Sequence, residues 1–302
     1  MNILVGRVFG LGNAVCGIPL LKALRMKFPN ARIDVLVGDT SDDFGAHEVL
    51  SCVGGCLVGK PRDIIYDIAI MAIPFDGRWK NGRDYKAKIV MDERGRPGHS
   101  KVFGFSSWKH HEIEYSMENA YSLGYKGEIP NCSFHTPPIS RSDRSIYLGM
   151  GFKRDQSGFF SQKHWGNKNY IQLVKRIFEH DEDLWVWSSG NARDYEECIL
   201  PVSKGVNYAR FVTVQNTLED SFKVMNQCSV YVGNDTGMMH VAASMGLGVV
   251  SVFKLEGSIT KSRPWCDRSI TFDGSKREIT PDEMFEAVKE MLSDKAIKEI
   301  RT

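Results

Sequence analysis

What this sequence lacks narrows the field first. No apolar run reaches the ~18 residues that a membrane-spanning helix needs, so no segment is expected to cross a bilayer. No charged leader with a long apolar segment precedes the opening Ile3-Leu4-Val5, so no signal peptide is expected. Paired cysteines are missing too. Cys16, Cys52, Cys56, Cys132, Cys198, Cys228 and Cys266 make an odd count without metal-ligand spacing. Several sit in apolar surroundings, as reduced core cysteines do, which points to a reducing cytoplasm. An excess of either charge is also absent. With 39 Lys and Arg against 37 Asp and Glu the net charge is +2, so no global field points to nucleic acid or membrane. What is present is ordinary. The 302 residues, 42% hydrophobic and 25% charged, suit a globular chain of two domains of roughly 150 residues each.

One stretch organises the rest: Gly233-Asn234-Asp235-Thr236-Gly237-Met238-Met239-His240, running on to Gly246. Residues 229–232 before it and 248–253 after it are short, apolar and β-branched, as buried strands are. Between them lie a polar glycine turn and about ten small or apolar residues, enough for a tight helix. Parallel neighbouring strands need such a crossover. In an open parallel sheet the ligand crevice lies at the carboxyl ends of the strands. Asn234, Asp235, Thr236 and Gly237 fall at that edge. Asp235 or Thr236 is placed to cap the helix, whose free amides and positive dipole end favour phosphate. Alone, however, Asp-Thr-Gly reads as a plain cap and His240 as structural.

The amino-terminal half opens as a βαβ unit. Residues 3–5 lead through the glycine loop Gly10-Leu11-Gly12-Asn13 into helical periodicity over 14–26, and residues 33–37 follow as a strand. Residues 66–72 and 87–91 read as further strands and 112–123 as a helix. Between Arg78 and Lys101 stand eight basic residues (Arg78, Lys80, Arg83, Lys86, Lys88, Arg94, Arg96, Lys101) against three acids. Trp79, Tyr85, Phe103, Phe105 and Trp108 interleave or follow closely. A solvated loop face and a seat for an anionic ligand are both open readings.

Residues 132–144, with Pro137-Pro138 and no periodicity, read as the linker, dividing the chain into 1–140 and 141–302. Beyond it residues 145–148 start a second αβ series, and Gly149-Met150-Gly151 repeats the strand-then-glycine pattern. Residues 184–187 read as a strand and 168–179 as a helix. Pro281 opens a last amphipathic helix, a candidate to pack back on the first domain. Asp181-Glu182-Asp183 precedes a strand, so it lies at the amino edge, away from any crevice. It reads as a solvated turn, not a metal site.

Together these stretches resemble the heptosyltransferase family, the ADP-heptose:lipopolysaccharide transferases. Three features carry the resemblance. One is Asp235-Thr236-Gly237 with His240 a helical turn later, and another is Lys163-His164-Trp165 ahead of a helix. The third is Gly10-Leu11-Gly12-Asn13 followed by Ile18-Pro19-Leu20-Leu21 and Phe28-Pro29-Asn30-Ala31. The resemblance implies an α/β chain of GT-B fold, two Rossmann-like αβα domains facing each other across a cleft. Residues 1–140 would then bind acceptor and 141–302 the nucleotide-sugar donor. It implies Lys163 as the cation that neutralises the donor's diphosphate as the sugar–phosphate bond breaks. Gly149, Gly151, Asp235, Thr236, Gly237 and His240 become donor-binding residues, with Glu196 as the acid reaching the nucleoside. Gly12 and Asn13 shape the acceptor side.

There is one departure. Most members of that family carry an aspartate, taken as the base, where this chain has Asn13. An amide cannot accept a proton at neutral pH. Asn13 is therefore expected to orient the acceptor, and Asp39 is a candidate base, with Asp92 and His99 as others. Arg78, Lys80, Arg83, Arg94, Arg96 and Lys101 form the expected acceptor patch. The expected protein is a cytoplasmic, metal-independent, inverting glycosyltransferase needing no cofactor. It would move a heptose-like sugar to an anionic glycan or lipid-linked acceptor such as lipopolysaccharide inner core, meeting a membrane only peripherally. The alternatives are transfer to another anionic polymer such as modified DNA, and a nucleotide-sugar-binding protein without turnover.

Overall fold

The computed structural model describes residues 1–8, 10–37, 45–53, 56–59, 62–70, 86–91, 110–134, 142–151, 160–215, 217–293 and 298–301. They form two compact units, Met1–Thr136 and Pro137–Thr302.

In the first unit β1 (Asn2–Val8), β2 (Arg32–Val37), β3 (Cys56–Gly59), β4 (Ile65–Ile70) and β5 (Lys86–Met91) form one parallel sheet. Their order is β3-β2-β1-β4-β5, so the winding reverses between β1 and β4. Helix α1 (Gly10–Lys27) packs against both α2 (Ala46–Ser51) and α3 (Glu112–Ser122). It buries Leu20, Leu21 and Leu24, as their spacing requires. The structure differs from the sequence reading at its start. The glycines Gly10 to Gly12 and Asn13 form the helix's first turn, not a loop before it. Gly10, at φ 67°, takes the left-handed turn that a side chain would resist, and the chain becomes helical at once. Glycine costs little in a first turn, whose amides lack intrahelical partners anyway. His111, at the end of the basic and aromatic segment, is a buried helix cap. Its Nδ1 accepts from Ile113 N at 3.2 Å, and Glu114 accepts from His111 N at 2.8 Å.

Among the described residues the second unit holds seven parallel strands: β6 (Ser142–Gly149), β7 (Trp185–Gly190), β8 (Phe211–Gln215), β9 (Cys228–Asn234), β10 (Gly248–Phe253), β11 (Ser269–Asp273) and β12 (Lys298–Arg301). Their order is β12-β11-β10-β9-β6-β7-β8. The winding reverses between β6 and β9, and that switch point is where an open α/β sheet makes its crevice. The connecting helices are α4 (Asn167–His180), α5 (Ala192–Asp194), α6 (Leu200–Val206), α7 (Leu218–Asn226), α8 (Gly237–Ser244), α9 (Ser258–Ser262) and α10 (Pro281–Leu292). A wide turn, Tyr195–Ile199, joins α5 to α6.

Period-2 alternation gives the two faces of this sheet different chemistry. Ile146, Leu148, Val186, Val230, Val232, Val250 and Val252 face α4, α6 and α10 in one aliphatic core. Each such side chain, fully buried, contributes about 1.5–3 kcal/mol. The other face carries Tyr147 and Tyr231, stacked at 6.0 Å, and a run of hydroxyls. Tyr147 OH pairs with Ser189 Oγ at 2.8 Å, and Ser189 Oγ with Ser221 Oγ on α7 at 3.0 Å. The last helix, α10, buries Met284, Ala287, Val288 and Met291 in the core of its own unit. Asp181 and Asp183 are held by Arg144 at 3.2 and 2.9 Å, at the amino edge of the sheet, an ion-paired turn. No helix among the described residues is long and apolar enough to cross a membrane.

Candidate functional site

The second unit brings its singled-out residues to the carboxyl edge at the switch point. β6 ends on Gly149 and runs into Met150-Gly151; β9 ends on Asn234 and runs into Asp235. Gly149 and Gly233 are register partners across this seam. Neither tolerates a side chain. A Cβ on Gly149 would lie 2.1 Å from Tyr231 Oη, and one on Gly233 would lie 2.3 Å from the Gly149 carbonyl. Gly149, read from sequence as a donor contact, is thus required first by the seam itself, and so is Gly233.

Thr236 is the N-cap of α8, but its side chain makes no cap bond. Its Oγ1 turns to Tyr231 Oη at 3.3 Å instead. The positive dipole end of α8 therefore stands at the carboxyl edge without a side-chain cap, Met239 N turning back to Thr236 O at 3.1 Å. Gly237 and Met238 are half-buried there.

Lys163 comes from the short 3-10 turn Phe160–Lys163 that leads into α4. Its Nζ lies 2.5 Å from Asp235 Oδ2 in a largely enclosed ion pair, the two side chains being 18% and 5% exposed. Burial raises the Asp235 carboxyl above the usual range, and the Lys163 charge opposes that rise. His240, one helical turn on, is buried; burial first, then Lys163, hold its imidazole down to about 4. At neutral pH it is therefore an uncharged hydrogen-bonding ring.

This depressed value has a consequence for stability. Between pH 6.5 and about 4 the unfolded chain takes up a proton on His240 that the native state refuses, so stability falls as pH falls. The loss is roughly 3 kcal/mol. Asp235, raised in the native state, binds a proton early and offsets part of it toward the acid end. His240→Gln is expected to flatten the slope of denaturant stability over that window. An unchanged slope would show that His240 is not the titrating group.

The acids of the 190s loop divide. Glu196 is exposed, whereas Asp194 lies against Gly151, close enough that a Cβ there would meet Asp194 Cγ at 3.1 Å. Asn191 caps α5, its Oδ1 accepting from Arg193 N and Asp194 N at 3.0 Å each. Sequence reading takes Glu196 and not Asp194, places Asn234 at the carboxyl edge without a role, and leaves Tyr231 and Tyr170 unassigned. A signal was available for Asn234, an amide at the end of the apolar strand Val230-Tyr231-Val232 that only partners inside the fold can satisfy.

In the first unit Gly12 and Asn13 are half-buried on the first turn of α1, at the carboxyl end of β1. Asp39, Asp92, His99 and the whole set Arg78, Lys80, Arg83, Arg94, Arg96 and Lys101 lie outside the described residues.

Comparison with known proteins bears on the same half. Residues 151–290 match the family model of glycosyltransferase family 9 (heptosyltransferase), a range that includes Lys163, Asp194, Asp235 and His240. A lipooligosaccharide heptosyltransferase 2 of Campylobacter jejuni is 26% identical over 158 residues, 50% of this chain and 47% of that protein. The chain thus spans about half the length of that curated relative. Among solved structures, the Escherichia coli ADP-heptose lipopolysaccharide heptosyltransferase II is similar at a TM-score of 0.76 and 18% identity. That similarity covers 97% of this chain and 99% of the other. An Escherichia coli heptosyltransferase solved with ADP gives 0.72 at 15% identity, covering 96% and 99%. At such identities the likeness is one of fold, and the fold is GT-B, with two parallel αβ units.

Proposed function

We propose that this chain, whose second unit carries a glycosyltransferase family 9 domain, moves a heptose-like sugar from a nucleotide diphosphate donor to an anionic glycan. Lipopolysaccharide inner core is the acceptor that suits the named relatives. The observation that carries the reading is the enclosed Lys163–Asp235 pair beside the uncapped start of α8, at the switch point of a parallel sheet.

The chemistry follows from charge. An acceptor hydroxyl attacks the anomeric carbon, the carbon–oxygen bond to the diphosphate breaks, and a nucleoside diphosphate leaves with added negative charge. Lys163 and the α8 amides supply fixed positive charge where that negative charge develops. Asp235 holds Lys163 in place, and neutral His240 offers a hydrogen bond without a second positive charge. Of the acids in the 190s loop, Asp194 is the one beside Gly151, where a nucleoside would need a partner. Asn13 orients the acceptor, and the proton goes to another group, with Asp39, Asp92 and His99 as the candidates.

We read the transfer as independent of a divalent ion, because a lysine and a helix terminus already supply the needed charge. A thermal-shift screen of nucleotide sugars tests the donor class. A ligand bound at 100 times its Kd stabilises the native state by about 2.7 kcal/mol. Nucleoside diphosphates and their sugars should raise Tm, with and without chelator. Nucleosides lacking phosphate should not. A rise seen only with an added divalent ion would reverse the metal assignment, and no rise with any nucleotide would count against the donor class.

A further inference from the structure

Asn234 is the last residue of β9 and has no exposed surface. A buried amide must find partners for both its oxygen and its nitrogen. This one finds four. Its Oδ1 accepts from Trp165 N at 2.9 Å and from Tyr170 OH at 2.8 Å. Its Nδ2 donates to the carbonyls of Met150 at 3.1 Å and Gly151 at 3.4 Å. The partners come from the end of β6, the strap before α4, and α4 itself. Burial holds the Tyr170 phenol well above its ordinary range, so it stays a donor at any physiological pH.

The strap Lys163-His164-Trp165 is anchored on its other sides too. Trp165 Nε1 donates to Ile279 O at 2.9 Å, Asn169 Nδ2 donates to Trp165 O at 2.9 Å, and Lys254 Nζ donates to His164 O at 3.2 Å. Toward β9 the holding is double. Consecutive residues Asn234 and Asp235 grip Trp165 by its backbone and Lys163 by its side chain. One grip thus holds the strap's backbone and the other its lysine side chain, from adjacent residues of one strand end.

We infer that Asn234 is the positioning residue of the reaction. Its amide fixes where the Lys163 ammonium stands relative to Asp235 and the first turn of α8. This rests on the proposed transfer and adds to it a residue that touches no substrate. No substitution keeps all four contacts. Alanine loses them all, and aspartate keeps the acceptor but, when ionised, presents a carboxylate to two carbonyls.

The test compares Asn234→Ala, Asn234→Asp and Tyr170→Phe with Lys163→Ala. On folded protein, Asn234→Ala should lower kcat about 100-fold, as a misplacement of about 1 Å does. Donor KM should change less than about tenfold. In a Lys163→Ala background the same substitution should cost less than about threefold more, since groups acting as one unit are not additive. Asn234→Asp should regain activity as pH falls, because its protonated carboxyl again donates toward Met150. Equal losses in both backgrounds and no recovery at low pH would mean a merely structural role and overturn the inference. Should Asn234→Ala fail to fold, Asn234→Asp and Tyr170→Phe carry the same comparison, with a smaller, severalfold loss expected for the latter.

A crystal structure of Asn234→Asp at high pH supplies an arm independent of activity. Lys163 Nζ should stand beyond ion-pairing reach, about 4 Å, from Asp235. An unchanged separation overturns the inference. A displaced Lys163 in a protein whose native form transfers no sugar overturns the proposed reaction instead and leaves the positioning role standing.

Discussion

Lys163→Ala is expected to lower turnover by about 10²–10³-fold, the loss seen when one preorganised charge-stabilising group is removed. Donor affinity should fall much less, by about tenfold. The reason lies in when the charge is needed. The bound donor already carries its diphosphate charges, whereas the departing oxygen gains negative charge only as the bond breaks. A group that acts at that moment shows in kcat more than in binding.

The substitution also leaves the Asp235 carboxylate buried without its cation, and breaking a buried pair costs about 3–5 kcal/mol when the remaining charge persists. Here the charge has an escape. Burial already raises the Asp235 carboxyl and Lys163 is what opposes the rise. Without Lys163 it should take up a proton and stay neutral to higher pH, so the cost in stability is smaller at low pH. Steady-state kinetics with a stability curve at two pH values separates the two effects. Full turnover in Lys163→Ala would remove the residue from the mechanism.

Gly233→Ala is expected to destabilise the second unit by about 3 kcal/mol or more, at the upper end of overpacking costs. The added methyl would meet a backbone carbonyl, that of Gly149, at 2.3 Å, and no rotamer change can relieve it. Gly149→Ala should cost somewhat less. Its new methyl meets the far end of Tyr231, which is a side chain, although one pinned against Tyr147. Gly17→Ala serves as a control in the middle of α1. Among the described residues nothing lies within 4 Å of its Cβ position, so helix propensity alone should yield a gain of about 0.5–1 kcal/mol. Denaturant midpoints of the three variants check the order. Equal midpoints for Gly233→Ala and the native chain would mean that the seam between β6 and β9 is looser than described.

The second unit was the more legible because its strongest signals are local. The strand–turn–helix of 229–246 shows its type in three consecutive residue patterns, and α4 and α10 show theirs by amphipathic spacing and an early proline. Strands β3, β8, β11 and β12 go unread. At four or five residues each, they become strands by pairing with a parallel neighbour whose position no local pattern reveals. The glycines at 10–12 read as a loop because helix propensity argues against them, yet a first turn makes little demand on propensity. Partners far apart in sequence were the least accessible. Lys163 and Asp235 are both singled out, but the sequence says nothing of their 2.5 Å contact, and the four partners of the Asn234 amide show only in the fold. Asp194 rather than Glu196 lies against Gly151 because of how α5 and the following wide turn are wound, a matter of two residues in helical phase.

The most direct test of the account is a transfer assay with an ADP-heptose-type donor and a delipidated inner-core glycan, with chelator present. Nucleoside diphosphate release and acceptor mass are followed together. The account predicts release that depends on the acceptor and is matched one for one by a mass gain of one sugar, and it predicts that Lys163→Ala slows both equally. Donor binding without any sugar transferred to the inner core or to another anionic acceptor, or transfer that Lys163→Ala leaves untouched, would contradict it.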